Sequence, residues 1–549
     1  MRRLRLRTAT VWQLGLIVLT GLTAGLFLIR AFAGRFIIQD DARQFLAWTA
    51  RLRDPGAMAG DLVADYFHAV SPPLFRLAFA LPAMAGIDPL VTAKLLVPLL
   101  LIASALAAWR VATAIAPRPI TAFITATCAM LAIIHEDGIF SATPRAFFAP
   151  LFLFFLDGLL RQRRIQAVIA LALLAAIYPA PALVGLTMLG LSRLRWQGSS
   201  IPRLAPGTIA FVAAATIAVA LAVLPLRQET QRWTPNVTLA EARTMPVFMA
   251  PEGRGNLVEA DRRMHWLCSD RLGFVPSVVN CHGDVSRGAL IDIALFILPV
   301  LLLSARALQH RWRGVIPDAG GLMFAQAFVA AAIWWTIAAA MAFDLHLPGR
   351  YSQPVLGLLG ALALGRILGA LLADPIERHP AIATALGLLL LPAGFLTPKM
   401  RLLSPDDDGA IARIAALPPA TRIAGIGDTL DFVPALTGRA VLATAEHAIP
   451  YQLGYFRAAS RRMADSVAAL ATPNRTAFAD FVHGYRIDVI AVDRDLLAGK
   501  PLAPRYATLI APGLSPGPTS WVATHANACR LYESRTLLLL DAKCLVRPV

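Results

Sequence analysis

Long apolar runs recur along the first 398 residues and then stop. Each run holds about 18 or more mostly apolar residues, enough for a helix to cross a hydrocarbon core of roughly 30 Å. They predict a polytopic α-helical membrane protein with about 11 transmembrane helices. The predicted spans are about 10–33, 89–115, 119–135, 145–160, two short helices within 165–194, 207–226, 289–305, 321–343, 353–373 and 380–397.

Two runs do not fit a single straight crossing. The run 165–194 is too long and is interrupted at Tyr178-Pro179-Ala180-Pro181, so we predict two short helices meeting at a turn. The run Pro72–Ala85 is short and rich in proline, and we predict a helix lying in the membrane interface. Counting it as a crossing would reverse the side of every later loop.

The segment 399–549 has a different pattern from the apolar part. It contains the turn sequence Ser404-Pro-Asp-Asp-Asp-Gly, then short β-like runs alternating with helical stretches. Strands that alternate with helices predict a small α/β domain. The predicted strands are 421–426, 440–443, 487–492 and 536–540, and the predicted helices are 452–470 and 475–485.

Composition supports the membrane interpretation. The 549 residues are 57% hydrophobic and 15% charged, with a mean hydropathy of +0.61, whereas soluble proteins carry about 25% charged residues. The net charge of +17 would suggest nucleic acid in a soluble protein. Here the arginines form clusters between the apolar runs, at 2–7, 161–164, 193–195 and 306–313, so nucleic acid is excluded as a partner.

The arginine clusters predict the orientation, because such clusters stay in the cytoplasm. The N-terminus is then cytoplasmic, and the first helix is retained rather than cleaved at Ala31–Ala33. Residues 1–398 form the membrane module, and 399–549 form a periplasmic domain in the bacterial inner membrane. The loops predicted on the periplasmic side are 34–88, 135–144, 227–288 and 344–352.

The five cysteines include two local pairs. Cys268 and Cys281 share a long loop, and Cys529 and Cys544 share the C-terminal domain. Both pairs lie on the predicted periplasmic side, where disulfides form. Four unrelated thiols are the alternative, and Cys128 is predicted to be inert within a helix.

Carboxylates gather on the predicted periplasmic side. Asp40 and Asp41 follow the first helix, and His135-Glu136-Asp137 follow the third. Adjacent carboxylates suit a general base, and Asp40, Asp41 and Asp137 also suit a divalent metal, Mg²⁺ or Mn²⁺. The alternatives are a helix N-cap for the aspartate pair and a polar cap for the second set. Asp61 and Asp65 are predicted to share one helix face, with a solvated face as the alternative.

Two arginines lie where helices enter the membrane on this side. Arg350 and Tyr351 follow His346-Leu-Pro-Gly, and Arg145 follows Thr143-Pro144. A guanidinium group suits a lipid phosphate. Snorkelling to lipid headgroups is the alternative. The sequence has no P-loop, no G-x-G-x-x-G after a strand, no G-x-S-x-G and no H-E-x-x-H, so nothing indicates a soluble nucleotide substrate.

This arrangement resembles the GT-C class of membrane glycosyltransferases, which use polyprenyl-phosphate sugars. The resemblance rests on Asp40-Asp41 after the first helix, the segment Ser71-Pro-Pro-Leu, the break at Tyr178-Pro-Ala-Pro and the C-terminal α/β domain. It implies that Asp40 or Asp41 activates an acceptor hydroxyl and that Arg350 holds the lipid phosphate. Protein O-mannosyltransferases have Asp-Glu where this chain has Asp-Asp. Oligosaccharyltransferases carry Trp-Trp-Asp in the soluble domain, whereas Trp334-Trp335 here precedes Thr336 within a helix, which disfavours that subfamily.

The expected function is therefore sugar transfer from a polyprenyl-phosphate donor to a glycan, lipid or protein acceptor. Two rivals remain: a transporter or flippase of a lipid-linked intermediate, and a catalytically silent assembly protein. The enzyme requires Asp40, Asp41 and Arg350 to line one cavity. The transporter requires a cavity that reaches both membrane faces, and the silent protein requires neither.

Overall fold

The structure is a computed structural model that describes residues 2–195, 203–204, 206–275, 287–312, 319–510 and 513–547. Its first part is a helical bundle and its last part is an α/β domain. The longer helices are α1 (Arg2–Ala31), α2 (Leu62–Val70), α3 (Pro73–Met84), α4 (Pro89–Ile115), α5 (Pro119–His135), α6 (Phe148–Leu160), α7 (Arg164–Ile177), α8 (Pro179–Leu191), α9 (Thr208–Thr230), α10 (Arg287–Trp312), α11 (Ala319–Ala340), α12 (Gly349–Arg378), α13 (Pro380–Leu396), α14 (Asp408–Ala415), α15 (Leu453–Ala471) and α16 (Arg475–Tyr485).

Short elements complete the chain. Single helical turns lie at Ala42–Phe45, Ala47–Leu52, Gly138–Phe140, Pro144–Phe147, Gln231–Trp233, Leu239–Ala242, Pro246–Met249, Asp428–Asp431, Val433–Thr437, Arg494–Leu497, Pro504–Ala507, Trp521–His525 and Ala542–Val546. The strands are β1 (Ile38–Gln39), β2 (Leu194–Arg195), β3 (Arg203–Leu204), β4 (Leu402–Leu403), β5 (Arg422–Ile426), β6 (Ala440–Val441), β7 (Val489–Asp493), β8 (Arg530–Glu533) and β9 (Leu537–Asp541).

Proline positions explain where several apolar helices begin. Proline lies in the first turn of α4, α5, α8 and α13, where its missing N–H costs no hydrogen bond. α7 ends as the Tyr178 amide donates to the Leu174 carbonyl at 2.6 Å, and α8 begins at the next residue. The predicted break of the run 165–194 is therefore confirmed.

The chain is a multi-pass membrane protein. Within the described residues, six helices are long and apolar enough to cross a membrane, and α3, α5, α7, α8 and α13 are shorter apolar helices. The total of about 11 crossings stays a prediction. The helices extend furthest beyond the predicted spans at the start of α1 and at the C-terminal ends of α10 and α12, because helix continues into their polar ends.

The bundle is centred on α12, which packs closely on α5. A Cβ added at Gly365 would lie 2.7 Å from the Thr125 Cα, and one at Gly369 would lie 2.9 Å from the Thr121 Cα. The Thr121 hydroxyl also donates to the Gly369 carbonyl at 3.1 Å. Small residues let helix backbones approach closely in a membrane, where packing drives association. This contact holds the first turn of α12, with Arg350, at one end of the bundle.

The C-terminal domain contains a five-stranded sheet in the order β6-β5-β7-β9-β8. β5 pairs in parallel with β6 and β7, and β9 is antiparallel to β7 and β8. The sheet confirms the predicted C-terminal α/β domain and adds β8, which the sequence pattern did not predict. Its boundary at residue 399 stays a prediction, because β4 pairs with β1 from the membrane module.

The cysteine predictions have separate outcomes. Cys529 and Cys544 form the predicted disulfide, and Cys128 is a free thiol. Cys268 is disulfide-bonded, whereas Cys281 lies outside the described residues. Arg313, predicted as part of a cytoplasmic cluster, also lies outside them.

Candidate active site

A cavity of about 2040 Å³ opens where the domain meets one end of the helical bundle. Its polar wall holds the acidic and basic residues singled out from the sequence as site candidates, except Asp61 and Asp65. The charged and aromatic lining includes Asp40, Asp41, Arg43, His135, Glu136, Asp137, Arg145, Tyr178, Arg254, Asp270, Arg271, Asp344, His346, Arg350, Tyr351, Lys399, Arg401, Glu446 and Tyr451.

The antiparallel pairing of β1 with β4 fixes the position of Asp40 and Asp41. Ile38 pairs with Leu403 in the β1–β4 register, and the Asp40 amide donates to the Arg401 carbonyl at 3.0 Å. The buried Gln39 amide donates to the Ala93 carbonyl at 3.0 Å. These contacts fix the backbone of the pair against both the domain and α4. Asp41 precedes a helical turn but makes no side-chain cap hydrogen bond, so the N-cap alternative is wrong for its carboxylate.

The carboxylate of Asp41 forms an ion pair with Arg145. The same guanidinium lies 3.8 Å from the Asp137 carboxylate, so Arg145 bridges the two predicted acidic sets. Burial would raise the pKa of Asp41, but Arg145, Arg254 and Arg350 outweigh it and lower that pKa below its usual value. Asp41 therefore stays ionised at neutral pH.

Asp40, the other member of the aspartate pair, also contacts arginines. It forms an ion pair with Arg43, and its second oxygen lies 3.8 Å from the Arg401 guanidinium. Arg401 also lies 3.7 Å from Asp137. We name Asp40, Asp41 and Asp137 the acidic set, and three arginines hold it together.

The acidic set does not fit a divalent metal, because a metal site needs several carboxylate oxygens free to coordinate the ion. Each of its carboxylates faces a guanidinium, and Arg145 occupies the space between Asp41 and Asp137. Among the residues that the structure describes, no three acidic, histidine or cysteine side chains come close enough to hold a cation. Mg²⁺ or Mn²⁺ would need about six oxygen ligands. Neutralisation by arginine fits these residues better.

Arg350 and its neighbours at the start of α12 also line the cavity. Among the described residues, the Arg350 guanidinium makes no hydrogen bond or ion pair, and its charge helps to lower the pKa of Asp41. Tyr351 is 4% exposed; its hydroxyl donates to the Leu345 carbonyl at 3.0 Å and its ring stacks on Trp334. Burial, Arg350 and Arg271 lower the pKa of His346 to about 3, so this imidazole is neutral.

Of the remaining candidates, His135 and Glu136 line the cavity, whereas Asp61 and Asp65 do not. The Nδ1 of His135 lies 2.8 Å from the Leu131 carbonyl. Asp61 is the N-cap of α2, accepting from the Ala64 amide at 2.8 Å, and Asp65 pairs with Arg51. Asp61 is buried, so the solvated-face alternative is wrong for this residue.

Sequence reasoning missed several charged residues of the cavity, among them Glu446, Arg254 and Arg271. Glu446, from the C-terminal domain, accepts from Gln44 and lies 3.4 Å from Arg43 and 3.2 Å from Arg254. Arg271, from the loop before α10, donates to the Tyr451 hydroxyl at 2.5 Å. None of these residues stands in a motif. Only the location of Arg254 and Arg271 in a predicted periplasmic loop could have drawn attention to them.

The cavity also has an apolar arm between α8, α9 and α12. Its lining ends at Leu186 on α8, at Thr216 on α9 and at Leu358 on α12. From Gly349 to Leu358 the arm covers about 14 Å of helix, roughly half of a hydrocarbon core. We name Leu183, Leu186, Val219, Val223 and Leu358 the apolar arm. It opens from the polar wall and does not reach the far ends of these helices.

Comparison with known proteins finds similarity at the level of structure. No family model and no curated protein sequence matches the chain. One similar structure is the oligosaccharyltransferase of Archaeoglobus fulgidus tethered to an acceptor peptide with the NVT sequon (11% identity, TM-score 0.47). A second is the same organism's AglB with an inhibitory peptide and a dolichol-phosphate (11% identity, TM-score 0.49). Each comparison covers 88% of this chain and 69% of the other.

A third similar structure is that oligosaccharyltransferase in complex with Zn and sulfate (11% identity, TM-score 0.42), covering 86% of this chain and 68% of the other. All three similarities are to oligosaccharyltransferase structures at 11% identity with TM-scores below 0.5, so they carry no argument about what this chain does.

Proposed function

We propose that this protein is a membrane glycosyltransferase that moves a sugar from a polyprenyl-phosphate donor to an acceptor hydroxyl. The observation that supports this proposal most strongly is that the acidic set, Arg350 and the apolar arm line one cavity. The arm suits an isoprenoid tail, a guanidinium suits its phosphate, and a carboxylate suits a hydroxyl that must lose a proton. The sugar is a hexose or pentose, and the acceptor is a glycan, lipid or protein.

The proposed reaction has one bond-forming and one bond-breaking event. The acceptor oxygen attacks the anomeric carbon, and its proton passes to Asp40 or Asp41. The bond between that carbon and the phosphate oxygen breaks, and the electron pair stays on the phosphate. Because phosphate is a good leaving group, the main demand is neutralisation of its charge. Arg350 meets this demand, and Arg145 keeps Asp41 ionised, so no step requires a metal.

The orientation is also part of the proposal. Arg161 and Arg163 lie between α6 and α7, and Arg164 is the first residue of α7, at the end of the bundle opposite the cavity. Arginine clusters favour the cytoplasm. We therefore place the cavity and the C-terminal domain on the periplasmic face of a bacterial inner membrane, with the N-terminus in the cytoplasm.

Two rivals have less support. A transporter or flippase needs a path to both faces, but the lining of this cavity ends midway along α8, α9 and α12. A silent assembly protein has no reason to keep ionisable groups together near a membrane, where they are costly. The convergence of carboxylates and arginines on one cavity favours the enzyme.

The test is donor consumption by the purified protein in lipid nanodiscs, with polyprenyl-phosphate sugars and a panel of acceptors. We expect Asp40→Asn or Asp41→Asn, whichever removes the base, to lower turnover by about 10²-fold or more, because general-base assistance contributes about 10²–10⁴-fold. Turnover is measured as release of polyprenyl phosphate.

The matched control is Asp54→Asn, in the same loop. Asp54 is exposed and accepts from the Gly56 amide at 2.9 Å, a bond that asparagine can keep, and it does not line the cavity. Its turnover should equal that of the wild type. Full activity in both Asp40→Asn and Asp41→Asn would remove the assignment.

A further inference from the structure

The turn Ser269–Gly273 is fastened to the first turn of α12. The Gly349 amide donates to the Arg271 carbonyl at 3.0 Å, and the Gln353 amide donates to the Ser269 and Gly273 carbonyls at 2.7 and 3.1 Å. A Cβ at residue 349 would lie 2.8 Å from the Arg271 carbonyl oxygen, so only glycine permits this approach. Arg271 is thereby held next to the residue that precedes Arg350.

The side chain of Arg271 is held by neutral groups. Its guanidinium donates to the Tyr451 hydroxyl at 2.5 Å and to the Arg254 carbonyl at 3.0 Å. Within the described chain, neither Arg271 nor Arg350 has a carboxylate oxygen within 4.0 Å. Arg254 differs, because Glu446 lies 3.2 Å from it.

Besides burial, Arg271 and Arg350, which have no carboxylate partner in the part of the chain that the structure describes, both lower the pKa of His346. His346 lies between the turn and α12, and Arg350 and Arg271 together with burial keep its imidazole neutral. His346 therefore adds no third charge at neutral pH. Its ring contacts Tyr451, with 4.9 Å between centroids. Two positive charges without a carboxylate are costly at the edge of a membrane, and they create a place for an anion.

We propose that Arg271 is a second phosphate-binding residue and that, with Arg350, it neutralises the lipid-linked phosphate of the donor. This inference rests on the proposed function. A sugar phosphodiester carries one negative charge, whereas the lipid phosphate released after the sugar–oxygen bond breaks gains a second. Two guanidiniums match the leaving phosphate better than the bound donor. Arg271 thus stabilises the transition state more than the ground state.

The first test is binding by the full-length protein in nanodiscs. The probes are polyprenol, polyprenyl monophosphate and polyprenyl diphosphate of one chain length, and the variants are Arg271→Gln, Arg350→Gln and Arg263→Gln. We expect Arg271→Gln to weaken monophosphate binding about tenfold or more and to leave polyprenol binding unchanged, because the variant loses a charge-assisted hydrogen bond to the phosphate alone. If the wild type binds polyprenyl diphosphate more tightly than polyprenyl monophosphate, and Arg271→Gln loses that preference, the donor bound by Arg271 and Arg350 is a diphosphate.

Arg263 is the matched control, because it is exposed on the same loop and does not line the cavity. Unchanged polyprenol binding shows that a variant is folded. Arg271→Lys, which keeps a charge, should recover part of the phosphate affinity if Arg271→Gln disturbs the turn. Wild-type phosphate affinity in a folded Arg271→Gln protein would overturn the proposal.

The second test uses turnover and separates this inference from the proposed function. If the wild type transfers sugar, Arg271→Gln should lower kcat by about 10²–10³-fold with a smaller change in KM. A change confined to KM would contradict a role in the transition state. Phosphate binding that needs Arg271, in a protein that transfers no sugar from any donor, would refute the glycosyltransferase and keep the phosphate site.

Discussion

At the residue scale, the site is organised by pairing between carboxylates and arginines rather than by either kind alone. Asp41 and Asp137 would repel each other, and Arg145 lies between them. A buried carboxylate without such a partner would take up a proton. Arg145, predicted as a phosphate ligand, is thus engaged by the acidic set, whereas Arg350 is available for an anion. The phosphate-binding role predicted for Arg350 stays a prediction.

The pairing predicts a pH effect for Arg145→Gln. The pKa of Asp41 lies below its usual value, so its charge is present above that pKa and is lost as the pH falls through it. Without Arg145, burial dominates and the pKa rises. We expect the acid limb of the transfer rate to move to higher pH by about 1–3 units, measured as a pH–rate profile.

Arg461→Gln, on the exposed face of α15, is the control and should leave the acid limb unchanged. An acid limb that stays at the wild-type position in Arg145→Gln would mean that Asp41 is not the titrating group.

At the element scale, the placement of Arg350 depends on how α12 packs on α5. Thr125 leaves no room for a side chain at Gly365, because its Cα lies 2.7 Å from where a Cβ would be. The close contact lets the two helices run past each other with few gaps. It also sets the height of the first turn of α12, and hence of Arg350 and of the turn that holds Arg271.

We expect Gly365→Val to force α12 away from α5 and to destabilise the bundle by about 1–3 kcal/mol. Thermal unfolding in detergent should show a lower Tm, and donor phosphate should bind more weakly because Arg350 moves. Gly387→Val on α13 is the control, since a Cβ there has one neighbour, at 3.9 Å. Equal Tm values for the two variants would show that the close contact is not needed.

At the scale of the whole molecule, the C-terminal domain is part of the cavity. Glu446 comes from this domain and is shared by Arg43 of the membrane module and Arg254 of the long loop. The β1–β4 ladder adds a second link beside Asp40. Domain and bundle therefore complete one site, which neither could form alone.

We expect Glu446→Gln to lower transfer about tenfold or more and to reduce stability by about 1–3 kcal/mol, because two arginines lose their common partner. The measurements are turnover and thermal unfolding of the full-length protein. Glu533→Gln on β8, which pairs with Arg494 and Arg530 away from the cavity, should change neither. Wild-type turnover in Glu446→Gln would limit the role of the domain to covering the cavity.

Local patterns in the sequence were enough for the long apolar helices and for most strands of the C-terminal sheet, although not for β8. Apolar runs predict the helices because a membrane span needs only length and hydropathy, and the prolines at 179 and 181 predict the break before α8. Alternation and turn residues predict β5, β7 and β9 in the C-terminal domain. Charge types pointed to Asp40, Asp41, Asp137 and Arg350, because ionisable groups beside a membrane are costly unless they have a use.

The partners of those charges were decided only by the tertiary structure. Asp41 and Arg145 are 104 residues apart, and Glu446 reaches Gln44 across 402 residues; no local pattern relates such positions. Arg271 gains its meaning only when Gly349 brings its turn beside Arg350. Local propensity acts over a few residues, whereas ion pairing depends on distances that exist only once the bundle and the domain have packed together.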